Sequence, residues 1–164
     1  MKLWNQLSVL PKGRWIFSRL VGRKIPYTGG LKAEVLTIEP GFARVRLDDR
    51  RPLRNHLDSI HAAALMNLAE FASGLALNMG LPDSSRAILK GFRIEYLKKA
   101  RGTLFAESTV TLPEPGQTVE MEIQAVIKNE ADEIVTRAFA TWKIGPKPEK
   151  NPEKKLEPKT EAKQ

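Results

Sequence analysis

The stretch IHAAALMNLAEFASGLALNM, running from Ile60 to Met79, decides the fold. Apolar residues occupy almost every turn of it: Ile60, Ala63, Ala64, Leu65, Met66, Leu68, Ala69, Phe71, Ala72, Leu75, Ala76 and Leu77. The run reads as one long helix, and a helix that is apolar on nearly every side is buried. Its few polar residues then need a reason. Asn67, Glu70 and Ser73 recur every three residues, and Ala63, Asn67, Glu70, Gly74 and Asn78 form one stripe. A buried carboxylate is costly unless paired or hydrogen-bonded. Glu70 is therefore either a satisfied structural group in a contact between subunits, or a carboxylate held in a partly dry cleft as a base or nucleophile.

Outward from this helix the period changes. Upstream, Lys32 to Ile38 alternates as a strand, Pro40-Gly41 makes a turn, and Phe42 to Leu47 alternates again, which predicts a hairpin. A charged loop through Asp48, Asp49, Arg50 and Arg51 leads to Asn55. Downstream of Pro82 come four strand-like runs: Ala87 to Leu97, Leu104 to Leu112, Val119 to Lys128, and Glu133 to Ile144. Gly102, the cluster Pro113-Glu114-Pro115-Gly116, and Asn129 to Asp132 separate them and read as hairpin loops, so this half is expected to be an antiparallel meander. Strands in runs around one central helix indicate an α+β domain. A strongly curved antiparallel sheet wrapped around one long buried helix is the hotdog fold. Its exposed sheet edge and helix flank call for a second copy, so a homodimer, or a tetramer built from it, is expected.

The ends are different in character. Residues 2–22 read as one or two short amphipathic helices broken at Pro11, with Leu3, Trp4, Leu7, Leu10, Trp15, Ile16 and Leu20 at helical spacings. A membrane-surface helix has this pattern; so does a helix packed over the domain or lining an acyl pocket, which is the commoner outcome. From Gly145 onward the chain is rich in Pro, Lys and Glu and nearly free of apolar residues, too polar to offset its ordering entropy. The expected organisation is an N-terminal helical extension over residues 1–30, the main domain over 31–144, and a disordered tail over 145–164.

Bulk properties bound the function. A chain of 164 residues can bury one ordinary core. It contains no Cys, which excludes disulfides, thiolate catalysis and Cys-ligated zinc. Only His56 and His61 remain as imidazole ligands, so no metal site is expected. No run of apolar residues is long enough to cross a membrane, and no secretory signal opens the chain, so a cytoplasmic protein is expected. The formal charge of +8 suits an anionic partner such as a phosphorylated ligand, and equally suits simple solubility. The aromatics Phe42, Tyr96, Phe105, Phe139 and Trp142 sit on strand patterns suited to a core, and no nucleic-acid motif is present, so no nucleic-acid partner is expected.

His61 opens the long helix just after Asp58 and Ser59, either of which has a capping side chain. A first helical turn offers unpaired N–H groups and the positive end of the helix dipole, natural donors to a developing oxyanion. The small side chains of Ala62 and Ala63 let a carbonyl approach those groups. Asn55, His61 and Glu70 stand at the spacing Asn-x5-His-x8-Glu. This resembles the phenylacetyl-CoA-type branch of the hotdog acyl-CoA thioesterases, whose motif runs Asn, His-Gly-Gly, then Asp or Glu on the central helix. The likeness extends over residues 31–144 in topology and is closest from Arg54 to Gly74; the segment from Asn55 to Ala64 is also similar to an uncharacterised hotdog subfamily with an N-terminal extension.

The resemblance implies roles. Glu70 corresponds to the general base or nucleophile, and Ala62 takes the place of the first glycine, its N–H polarising the thioester oxygen. His61 and Asn55 orient the loop, the water or the substrate, and Ala63, Asn67, Ser73 and Gly74 are the expected substrate-lining positions. Lys98, Lys99 and Arg101, at the end of the strand after the helix, fall where hotdog enzymes often bind coenzyme A phosphates. Coenzyme A enters only as part of the substrate, and no separate cofactor is implied. The chain departs from the motif in having Ala62 and Ala63 for both glycines: the N–H donor survives, but each methyl narrows the pocket mouth. Helix geometry adds that the nine residues from His61 to Glu70 turn through about 900°, half a turn from the start, and rise about 13 Å, so the helix N-terminus with the Ala62 N–H and the Glu70 side chain of one helix do not readily meet at one carbon. A site shared between two antiparallel helices of a dimer resolves this. The competing readings are a hotdog acyl-CoA or lipid carrier without turnover, which the alanine pair favours, a nucleic-acid module, and a hydratase of the same fold, whose Asp-then-His spacing is not evident.

Overall fold

The computed structural model describes residues 1–148. Three helices come first: α1 (Lys2–Leu7), α2 (Gly13–Lys24) and α3 (Pro26–Gly29). The hairpin β1 (Glu34–Glu39) and β2 (Phe42–Leu47) follows, then the long helix α4 (Ala62–Asn78) and the strands β3 (Ser85–Tyr96), β4 (Leu104–Thr109), β5 (Val119–Lys128) and β6 (Ile134–Pro146). The six strands form one antiparallel sheet in the order β1-β2-β4-β5-β6-β3. Helix α4 packs against all six strands, so the sheet wraps it, and the architecture is the expected α+β hotdog fold. Small residues make the wrap close. Ala43, Ala106, Ala125, Ala138 and Ala140 are buried on the inner face of the sheet and leave room for Leu65, Leu68, Ala69 and Ala72 of the helix.

The expected four-strand meander holds for three strands only. β4, β5 and β6 are consecutive neighbours, but β3 pairs with β6 at the far edge and does not turn back onto β4. The break at Gly102 is therefore a crossover. Ala100, within it, accepts from Ile60 N–H at 2.8 Å and from Ser59 Oγ at 2.9 Å, and Gly102 N–H donates to Asp49 at 3.0 Å. These bonds tie the segment to the loop before α4 and leave β3 as an edge strand. β1 carries a bulge between Val35 and Thr37, which is why its buried residues, Val35 and Ile38, are three apart instead of two.

The N-terminal helices pack onto this body by their inner side. Trp4 of α1 and Phe17 of α2 are buried, ring edge to ring face with centroids 5.1 Å apart. Ser18 Oγ accepts from Val35 N–H at 2.9 Å and fastens α2 to β1. Gly29 is required where α3 meets α2, since a Cβ there would stand 2.3 Å from the Gly22 carbonyl oxygen. Strand β6 runs to Pro146, two residues into the segment read as tail, with Gly145 opposite Arg86 and Pro146 opposite Ser85. The rest of that reading, from residue 149, lies outside the described residues.

Candidate active site

Helix α4 begins one residue after its cap, and that cap is His61 itself, not Asp58 or Ser59. Its backbone is extended (φ −61°, ψ 139°) and its Nδ1 accepts from Ala63 N–H at 3.1 Å. Asp58 is instead a turn residue with φ 52°, and Ser59 bonds the crossover. Ile60 is also outside the helix, bridged to Arg54. Capping decides which donors are left. With Ala63 N–H committed to His61, and Ala64 and Leu65 donating to the His61 carbonyl, the Ala62 N–H has no acceptor among the described residues. Ala62 is exposed, so this N–H is open to a ligand.

Asn55 lies at the other wall of the same hollow. Its Oδ1 accepts from Leu57 N–H at 2.9 Å and Ser59 N–H at 3.3 Å, an Asx turn that shapes the loop before α4. Asn55, Ala62, Tyr96, Lys98 and Lys99 line one cavity of about 330 Å³. Tyr96 was not expected here: its hydroxyl donates to the Ala62 carbonyl at 3.2 Å, and burial pushes the phenol above its usual range. Lys98 is ion-paired with Glu133 at 2.6 Å. Arg101 is held by the loop before α4. Its Nε and Nη2 donate to the Asp58 and Leu57 carbonyls at 2.9 and 3.0 Å, bracing the loop, and it faces a different hollow with Asp49 and Arg54.

Glu70 sits in a second cavity, of about 450 Å³, within the range of small-molecule pockets. Trp4, Phe17, Leu20, Phe71, Leu75 and Met79 make its walls predominantly apolar, and Gly74 and Trp142 line the same cavity. No side chain among the described residues hydrogen-bonds or ion-pairs with the Glu70 carboxylate, and burial alone pushes its pKa above the usual glutamate range. This is what a base in a dry cleft requires. Gly74 packs toward Trp142: a Cβ there would meet the Trp142 ring at an ordinary contact of 3.5 Å. Trp142 also has a buried indole N–H without a partner, a polar donor that the strand pattern had assigned wholly to core.

Three expected substrate residues are elsewhere. Asn67 is buried, and its Oδ1 accepts from the Thr28 hydroxyl at 2.9 Å, locking α3 to α4. Ser73 is fully buried and donates to the Glu70 carbonyl at 2.9 Å, closing a bond within its own helix. Ala63 lines neither cavity. The unburied stripe of α4 is Ala62, Met66, Glu70, Gly74 and Asn78, at spacings of four. Met66 (41% exposed), not Asn67, is the residue beside Glu70 on that stripe.

Residues 13–144 match the family described as a domain of unknown function, DUF4442. Among solved structures, the fold is similar to a structural-genomics protein at TM-score 0.76 and 28% identity, covering 88% of this chain and 96% of that one. It is also similar to a Pseudomonas aeruginosa protein of unknown function described as a probable thioesterase, at TM-score 0.72 and 21% identity, covering 84% and 97%. A thioesterase family protein from Silicibacter pomeroyi follows at TM-score 0.68 and 19% identity, covering 79% and 96%. No curated protein matches the chain.

Proposed function

The chain belongs to the DUF4442 family, and from that footing we propose that it is a thioester hydrolase acting on a fatty or aromatic acyl-CoA. The observation that carries this reading is Glu70: an unpaired carboxylate, raised in pKa by burial, in an apolar cavity of acyl-binding character. The thioesterase descriptions of two of the similar structures support it.

The reaction asks little of the protein beyond these groups. The thioester oxygen docks on the Ala62 N–H at the positive end of α4, where charge develops as the carbonyl is attacked. Glu70 takes a proton from water as the water oxygen bonds to the acyl carbon. The C–S bond then breaks, the proton passes to the departing sulfur, and acid and thiol leave. Direct attack by the Glu70 carboxylate, giving an anhydride that water opens, uses the same placement.

The site is shared between subunits of a homodimer. β3 is an edge strand of twelve residues, too long and too apolar to stand open in water: Ile88 (46% exposed), Leu89, Tyr96 and Leu97 face out along or next to it. The open stripe of α4 through Met66 lacks a cover as well. A second copy covering both sets Glu70 of one subunit against Asn55, His61 and Ala62 of the other. Lys98 and Lys99, beside Ala62, then stand nearest the coenzyme A phosphates.

The alternative is an acyl-CoA or lipid carrier without turnover, favoured by the methyls of Ala62 and Ala63 at the pocket mouth. Purified protein assayed against an acyl-CoA panel with free-thiol detection separates the two. Thiol release that Glu70→Ala abolishes supports the hydrolase; tight acyl-CoA binding with no thiol release establishes the carrier.

A further inference from the structure

The outer face of the N-terminal helices has no part in the chemistry, yet its composition is unlike the rest of the surface. No Asp or Glu precedes Glu34, whereas seven Lys and Arg do. Nine of the fifteen exposed large apolar side chains among the described residues also lie within residues 1–27, including Val9 (79% exposed), Leu10, Trp15 (54%) and Tyr27 (79%). On α2 the two kinds share one side. At about 100° per residue, Trp15, Arg19, Arg23, Ile16 and Leu20 fall within about 140° of arc. Phe17 and Ser18 point away from that arc, one into the core and the other to β1. Arg19 lies over the Trp15 ring at 5.2 Å, and neither Arg19 nor Arg23 has a carboxylate partner among the described residues.

Three occupants can be weighed by what they satisfy. A second copy of this face would bring the unpaired Arg19 and Arg23 against their own copies. A nucleic acid would answer the charge but leave Val9, Leu10 and Tyr27 in water. An anionic bilayer answers both: the apolar side chains enter the acyl boundary while the cations reach the headgroups. No helix of the described residues is long and apolar enough to cross a membrane, so contact is at the surface. The side of α2 that lines the Glu70 cavity, through Phe17, Leu20, Val21 and Lys24, is set beside this arc, about 140–240° from Trp15.

We propose that α1–α3 are a peripheral docking surface for anionic membranes. The packed and the membrane-facing readings of residues 2–22 are then two sides of the same helices. Docking rests on no step of thioester hydrolysis, so either can fail without the other.

The test is flotation of the full chain with phosphatidylcholine vesicles, with and without phosphatidylglycerol, at low and high salt. Binding is expected only with the anionic lipid and should weaken with salt. Arg19→Glu with Arg23→Glu should reduce partitioning by about thirtyfold or more. Trp15→Ser with Ile16→Ser should also lower it, with thermal melting and short-chain thiol release unchanged. Absence of binding to anionic vesicles, equal binding to neutral ones, binding only to nucleic acid, or a change of oligomeric state in the Trp15 variant would each overturn the proposal.

Discussion

Glu70 and Ala62 lie on one unburied stripe of α4 but open into different cavities. Counting from Ala62, eight residues turn through about 800°, which leaves the two roughly 80° apart around the axis. It is the rise of about 12 Å, not opposite facing, that keeps them from one reacting carbon. A base on one half-site and an oxyanion donor on the other is the arrangement that a twofold-related second helix completes.

The Glu70 carboxylate predicts opposite effects on activity and stability. Glu70→Gln should lower kcat/KM for thiol release by about 10²–10⁴-fold. It should also raise Tm at neutral pH. Burial raises the folded-state pKa of Glu70, so the protonated form is favoured on folding. That contribution is present below the unfolded-state pKa and is lost as pH rises through the folded one, above which the cavity holds a buried charge. The amide isostere removes that charge. A lower Tm for the variant would make Glu70 a structural residue. The pH profile of the wild type follows the same sign: activity falls on acidification, with its midpoint above the usual glutamate range.

Ala62→Pro isolates the oxyanion donor. Ala62 is the first residue of α4, a position where proline is well tolerated, and the preceding His61 already has the extended backbone that proline demands. The variant should fold and melt like the wild type, yet lose about 10²–10³-fold in kcat, because only one N–H is removed. Circular dichroism and steady-state kinetics check the two halves.

Gly74→Leu should retune the acyl pocket. A Cβ at Gly74 meets the Trp142 ring at ordinary contact, and a longer side chain must project into the cavity beside Glu70. Activity toward long acyl chains should fall more than activity toward acetyl or propionyl thioesters, and a chain-length series of kcat/KM reads this out.

Asn67→Ala should cost stability and not specificity. It leaves the buried Thr28 hydroxyl without its acceptor, a loss of about 1–3 kcal/mol in unfolding free energy. Chemical denaturation measures it, and the acyl preference should stay as in the wild type.

The sequence disclosed those features that depend on period. The apolar run around α4, the alternation of β1 and β2 across Pro40-Gly41, and the runs of β4 to β6 are one-dimensional signals of burial, and they place the helix inside a sheet. What escaped depends on partners distant in sequence. Gly102 between two strands looks the same in a hairpin as in a crossover, and only the bonds to Asp49 and the loop before α4 distinguish them. The bracing role of Arg101 was not legible because its acceptors, the Leu57 and Asp58 carbonyls, lie more than forty residues earlier. A three-residue spacing placed Asn67 and Ser73 with Glu70, but the open stripe follows a spacing of four: it keeps the expected Gly74 and Asn78 and takes Met66 in place of Asn67. Trp142 carried no sequence signal for the site: its strand alternation marked it as core, which it also is.

The central claim, a hydrolytic site assembled from two subunits, is tested most directly by complementation. Glu70→Gln and Ala62→Pro proteins, each inactive alone, are mixed under conditions where subunits exchange, and thiol release from an acyl-CoA is followed. Half of the dimers formed are mixed, and each has one intact site, so about a quarter of the wild-type activity should return. No recovery, with exchange verified by differently tagged subunits, would contradict the account.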